Sequence, residues 1–196
     1  MKSKYLLIIF LISSFFVNGQ IDSAEYYLKK GESIVYLDKD YNIIPNKENA
    51  EFYRIFKIGS NNESIGEIND YYKSGSLKFK IQSANYIDLN DNKKWRWQGK
   101  VFGYYENGVK ERELNWKDGK MIGSYITYYK SGGIYQSIAL VNYKYEGEYK
   151  SFYESGSIKK VGHYVDGILQ GEFIEYFESG SVKKFDHYVD GILQGE

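Results

Sequence analysis

From Gly66 to the last residue, apolar and polar side chains alternate in short runs that return every 24 residues. Glycines at 99, 123, 147, 171 and 195 keep the period. Two positions after the glycine at 66, 99, 123, 147 or 171 stands an apolar residue: Ile68, Val101, Tyr125, Tyr149, Phe173. An aromatic pair follows in the last four of these units: Tyr104-Tyr105, Tyr128-Tyr129, Phe152-Tyr153, Tyr176-Phe177. Turn triplets come next: Lys73-Ser74-Gly75, Glu106-Asn107-Gly108, Lys130-Ser131-Gly132, Glu154-Ser155-Gly156 and Glu178-Ser179-Gly180. Ser-Gly or Asn-Gly between β-prone runs predicts a hairpin, because glycine enters positive φ without steric cost. Apolar residues resume at Leu77, Ile134, Ile158 and Val182, and the second run carries Trp116, Leu140, Tyr164 or Tyr188. Asp118-Gly119, Asp166-Gly167 or Asp190-Gly191 then closes the unit with another turn pair.

Each unit therefore reads as two short strands and two turns, with no period-3.6 pattern for a helix. A fixed period of this length predicts stacked units, none able to bury its apolar face alone. The expected fold is all-β: an elongated antiparallel meander whose equivalent side chains form ladders. Cross-strand aromatic pairs supply about 0.2–1 kcal/mol each. The units fall near 66–98, 99–122, 123–146, 147–170 and 171–196. Three departures stand out. Asn142-Tyr143 replaces one Asp-Gly turn, and Lys110 takes an apolar ladder position. The first unit is 33 residues long, its extra stretch around residues 88–94 reading as a polar hairpin loop. Residues 20–65 lie outside the period and are expected to form a β-rich N-terminal cap. Its strands are predicted at Ile34–Leu37 and Phe52–Ile58 around a polar loop with Pro45, and a short helix at Ser23–Lys30. The last residues, Gly195-Glu196, stand where another strand would begin. That reads either as a truncated frame or short final strand, or as a free edge open to self-association.

The N-terminus carries a different pattern. Lys2 and Lys4 precede an apolar run over residues 5–17, and Val17-Asn18-Gly19 offers small residues for cleavage. Residues 1–19 are thus predicted to be a signal peptide, placing the mature chain in the periplasm, on the cell surface or outside the cell. The run falls short of the roughly 20 residues of a transmembrane helix. Lys2 and Lys4 account for two of the 26 basic residues, leaving 24 against 26 acidic ones. A near-neutral chain has no electrostatic pull toward nucleic acid, and that class of partner is excluded. With no cysteine, stability rests on packing and backbone pairing. The abundance of tyrosine (22) with a single proline suits β-structure rich in tight turns.

Catalytic and cofactor chemistry is not expected. The two histidines, His163 and His187, occupy one position in adjacent units and read as duplicated with their repeat. Ala139 and Asn115 stand at the equivalent places, so no three- or four-ligand metal set forms. Glu154, Glu178, Asp166 and Asp190 belong to turn motifs. Gly75-Ser76 and Gly156-Ser157 are hairpin turns, not nucleophile elbows, which need a strand-turn-helix setting. Lys93-Lys94-Trp95-Arg96-Trp97 is basic and aromatic, and is read as a strand with its rings packed on the sheet. The candidate binding surface comprises Trp95, Trp97 and Trp116 with the ladder aromatics Tyr104, Tyr105, Tyr128, Tyr129, Phe152, Tyr153, Tyr176 and Phe177.

The Gly-x4-Tyr-Tyr-x-Asn/Ser-Gly-x-apolar core and the following Asp-Gly-x3-Gly resemble the MORN repeat, and more closely its bacterial variant, over about residues 66–196. That variant looks like the repeat of the bacterial YwqK-type antitoxin family. Tyr36-Leu37-Asp38-Lys39-Asp40, Lys47-Glu48-Asn49-Ala50, Phe52-Tyr53-Arg54 and Asp70-Tyr71-Tyr72-Lys73-Ser74-Gly75 resemble its exported members. The resemblance implies a twisted antiparallel sheet, a binding role without catalysis, and the family label of an antitoxin in a toxin–antitoxin system. The expectation is an exported protein-binding or scaffolding module that needs no cofactor. The alternative is an envelope glycan- or lipid-binding surface.

Overall fold

The computed structural model describes residues 31–58, 65–86 and 94–195. The predicted signal peptide, the helix predicted over Ser23–Lys30 and residues 88–93 of the polar loop lie outside them. The described residues form one 14-stranded antiparallel sheet. Its strands are β1 (Glu32–Leu37), β2 (Ile43–Ile44), β3 (Phe52–Ile58), β4 (Ile65–Tyr72), β5 (Leu77–Tyr86), β6 (Arg96–Tyr104) and β7 (Lys110–Lys117). They continue as β8 (Lys120–Tyr128), β9 (Ile134–Val141), β10 (Lys144–Phe152), β11 (Ile158–Val165), β12 (Ile168–Tyr176), β13 (Val182–Val189) and β14 (Ile192–Leu193). From β3 onward each strand pairs with the next, so the repeat is a meander; only β1, placed between β3 and β2, departs from chain order. Residues 32–58 therefore extend the same sheet.

Two kinds of hairpin alternate. In the first, Tyr72 N–H donates to Ser76 O and Gly75 N–H to Tyr72 O, and the same pair of bonds recurs at Tyr105, Tyr129, Tyr153 and Phe177. The glycine closing each turn sits at φ between +83° and +98°, the left-handed position of a type I turn with a glycine bulge. In the second, both turn residues have positive φ: Asp118-Gly119, Asp166-Gly167, Asp190-Gly191 and Asn142-Tyr143. This is the primed turn whose twist matches that of the flanking strands. The repeated glycine has a further use. Gly147 pairs regularly with Tyr164, but on its other side Glu146 faces Ala139 while Lys150 already faces Ser137. Two extra residues are thus absorbed at a bulge, which sharpens the local twist. The same slip falls beside Gly123 and Gly171.

One face, here called the inner face, carries two parallel ladders. Phe56, Ile68, Ile81, Val101 and Leu114 face one another across β3–β7. These residues, with Ala84 and Trp95, make the buried core. Two positions along lies a polar ladder that crosses β3–β13: Arg54, Asp70, Phe79, Gly103, Arg112, Thr127, Gln136, Ser151, Lys160, Glu175 and Lys184. The predicted ladders are present, but burial is uneven. From β11 onward the described hydrophobic side chains are half-buried or exposed.

Candidate functional site

The inner face of β3–β10 lines an open groove of about 580 Å³. Its walls are mainly aromatic, with Trp97, Trp116, Tyr125, Tyr143 and Tyr145 around a floor of Ile81, Val101 and Leu114. Its polar end is formed by Tyr41, Arg54, Asp70 and Arg112. A largely apolar concavity of this size with a few converging polar groups has the make-up of a ligand or side-chain pocket.

The polar end is built from the second ladder. Arg54 Nε and Nη2 donate to the two carboxylate oxygens of Asp70 at 2.6 and 2.8 Å, with both side chains buried. The guanidinium lies against both the Trp95 and Trp97 rings, 4.7 and 4.8 Å from their centroids. Paired charges of this two-pronged geometry meet the cost of burial where a lone charge does not. Tyr41, on the loop after β1, reaches this end from a backbone at φ +63° and stacks on Phe52 at 4.9 Å. Burial, reinforced by the nearby Asp70 charge, pushes its phenol well above the ordinary tyrosine range, so the ring is neutral at every physiological pH.

Arg112 follows in the same ladder. Its Nη2 donates to Glu111 at 2.6 Å, while its Nε–H is buried with no hydrogen-bond partner among the described residues. Gly103 makes room for it. A Cβ at Gly103 would stand 2.7 Å from Arg112 Cγ and 2.9 Å from Phe79 Cε1. Glycine here answers to space, since its φ is not in the left-handed region.

Tyr143 closes the groove on the far side. It holds φ +67° in its primed turn, a conformation that costs a side-chain-bearing residue energy. Its ring meets Trp116 edge-on at 6.1 Å, and its hydroxyl donates to Gly119 O at 2.6 Å.

The residues singled out from sequence divide into three groups. Trp95 is buried in the core against Phe56, with ring centroids 5.2 Å apart. Trp97 and Trp116 both line the groove. The aromatic pairs sit at the opposite strand ends and stitch neighbouring hairpins together. Tyr72 Oη donates to Tyr104 O, Tyr105 to Tyr128, Tyr129 to Phe152 and Tyr153 to Tyr176, at 2.7–2.9 Å. Phe177 is exposed. Lys110 keeps its ladder place by lying 5.2 Å from the Phe102 and Tyr128 rings and pairing with Glu113 at 2.9 Å. That pair's hydrogen bond holds the Glu113 carboxyl below its usual range. His163 faces Glu148 and Gln170, and His187 faces Glu172. Among the described residues no group of three or more His, Cys, Asp or Glu is placed to hold a metal. Sequence reasoning missed Tyr41, Arg54, Asp70, Arg112 and Tyr143 as parts of one site. The Asn142-Tyr143 exception was the one visible signal.

Three segments, residues 97–118, 145–166 and 169–190, match the family model of the MORN repeat variant. No curated protein matches the chain. The matched segments open on inner-face residues Trp97, Tyr145 and Leu169 and close on the turn residues Asp118, Asp166 and Asp190. These three segments are thus similar to the MORN repeat variant, and each is laid out as paired strands of the one sheet.

Proposed function

We propose that this protein is a non-catalytic binding module that recognises a protein partner along its inner face, anchored in the aromatic groove. The groove is the observation that carries this reading. An inner-face stripe continues from it: Trp116 opposite Met121, Leu140 opposite Tyr145, Tyr164 opposite Leu169, and Tyr188 opposite Leu193. At about 4.8 Å between strands, β6 to β14 spans roughly 40 Å, the length of about a dozen extended residues. The two carboxylate oxygens of Asp70 are both taken by Arg54, which speaks against an acid–base role. Exposed Val182 and Leu193 add apolar surface to that face on the last units, of the kind found at protein contacts. Export follows from the pattern of residues 1–19, and the antitoxin role from family resemblance. Loss of secretion on deleting residues 1–19 checks the first.

The test presents the immobilised chain to a random peptide display library, a glycan array and phospholipid vesicles in parallel. Enriched peptides that share an apolar anchor, and lose binding to the Trp116→Ala variant, are expected. Retention by glycans or vesicles without peptide enrichment would replace this reading with the envelope-surface one. Concentration-dependent self-association alone would make a second copy the occupant.

A further inference from the structure

A repeat array carries its own internal alignment, and here the departures from it converge on one place. Three primed turns hold glycine at their second position: Gly119, Gly167 and Gly191. The fourth holds Tyr143, at φ +67°, although glycine would take that backbone freely. Strain kept against an easy alternative points to function. The polar ladder shows a second departure. Thr127, Ser151 and Glu175 occupy the positions 24, 48 and 72 residues beyond Gly103. Only Gly103 leaves the space that Arg112 and Phe79 use. Both departures line or abut the groove, while the units at residues 148–172 and 172–196 are near-duplicates.

Within the groove Asp70 takes both ends of the buried Arg54 fork, whereas Arg112 pairs with Glu111 through Nη2 and keeps a partly exposed guanidinium side chain. Around it stand rings and aliphatic side chains. The complementary occupant is a flat apolar group with a carboxylate close by, since a charge-assisted bond to the exposed part of that guanidinium is stronger than a neutral one. We propose that the groove takes an aromatic side chain of the partner polypeptide bearing a neighbouring carboxylate, such as a C-terminal aromatic residue, with Tyr143 as the wall that recognises the ring and Arg112 as the carboxylate donor. This rests on the protein-binding reading and names the anchor it requires.

N-acetyl-phenylalanine and its uncharged amide serve as probes, titrated calorimetrically into the full chain. A ligand of about 15 non-hydrogen atoms should bind with a Kd of about 1 mM or tighter. The amide should bind about tenfold more weakly, the loss of one charge-assisted bond. Tyr143→Gly should lower affinity for the acid by about tenfold while the Tm holds or rises, because strain is relieved as a ring contact is lost. A purely structural Tyr143 would give unchanged affinity. Arg112→Met should remove the preference for acid over amide. No binding by the parent chain, equal affinity for acid and amide, or undiminished binding by Tyr143→Gly would each overturn the proposal. Peptide enrichment that persists without acid binding would leave the protein-binding reading standing; loss of both would remove it as well.

Discussion

The two halves of this sheet share one backbone plan and differ in what they bury. Around β3–β8, Phe56, Ile68, Ile81 and Trp95 are enclosed, a charged pair is sealed beneath tryptophan, and a groove opens beside it. Along β11–β14 the same turns, bulges and ladders carry Val182, Phe185 and Ile192 into solvent. The half that repeats most faithfully is thus the half with least core. Repetition sets the hydrogen-bonded ladder, while Trp95, Tyr41 and Tyr143, all outside the repeat's consensus, fold back over the inner face and give it a second layer. A single-layer sheet has one neighbour on each side to lean on, so stability should decline from the core toward β14.

Paired substitutions test this decline directly. Ile68→Ala removes a fully buried side chain and should cost about 2–5 kcal/mol, whereas Ile192→Ala, 66% exposed, should stay within about 0.5 kcal/mol. Asp70→Ala removes the carboxylate that holds both ends of the buried Arg54 fork and should cost about 3–5 kcal/mol. Urea unfolding followed by tryptophan emission reads the core half, where Trp95, Trp97 and Trp116 lie, and hydrogen exchange reads β14. Equal losses for Ile68→Ala and Ile192→Ala would erase the distinction.

Much of this was legible in the sequence because turn chemistry and alternation are local. Gly75, Gly108, Asp118-Gly119 and Asp166-Gly167 turn where their types require, and the strand predicted at Phe52–Ile58 is present with those bounds. The groove was not legible, because it depends on register between distant strands. Arg54 meets Asp70 only through the pairing of β3 with β4, and Gly103 matters only because Phe79 and Arg112 cross there. Trp95 followed from its aromatic character, but its burial depends on Phe56 and Arg54 of distant β3. Tyr143 announced itself as an exception, although nothing local said that its ring would lie against Trp116.

Alkaline titration should act mainly on the two-layered half. Burial raises the pKa of Tyr41 most, and also those of Tyr53, Tyr71, Tyr72, Tyr145 and Tyr164. Below the unfolded value of about 10 these phenols are neutral in both states, and the stability they favour is intact. As pH rises past it the unfolded chain ionises first, so that stability is lost toward the higher folded values. Tyrosinate absorbance should therefore rise together with a red shift of tryptophan emission. A gradual rise in absorbance with unmoved emission would show that the rings are solvated.

Smaller effects come from two glycines with similar crowding. A Cβ at Gly103 would meet Arg112 and Phe79 at 2.7 and 2.9 Å; one at Gly162 would meet Phe173 at 2.7 Å. Gly103→Ala presses on side chains already packed in the groove and should cost about 1–3 kcal/mol. Gly162→Ala presses on a ring in the single-layered half, which can swing toward solvent, and should cost less than about 1 kcal/mol. Equal costs would mean that β11–β13 are packed more firmly than their exposure implies.

The smallest difference between the halves should come from a bond that both share. Tyr72 and Tyr153 each donate a hydroxyl proton to the carbonyl of the next aromatic pair, at 2.9 and 2.7 Å. Both bonds are partly buried and belong to the repeat rather than to the core. Replacing either tyrosine by phenylalanine should cost about 0.5–1.5 kcal/mol, the range for one neutral hydrogen bond. Matching losses for Tyr72→Phe and Tyr153→Phe in hydrogen-exchange protection would locate the difference between the halves in side-chain packing alone. A markedly larger loss at Tyr72 would show that the ladder is itself strengthened by the layer covering it, because a carbonyl further from water loses more when its donor is removed.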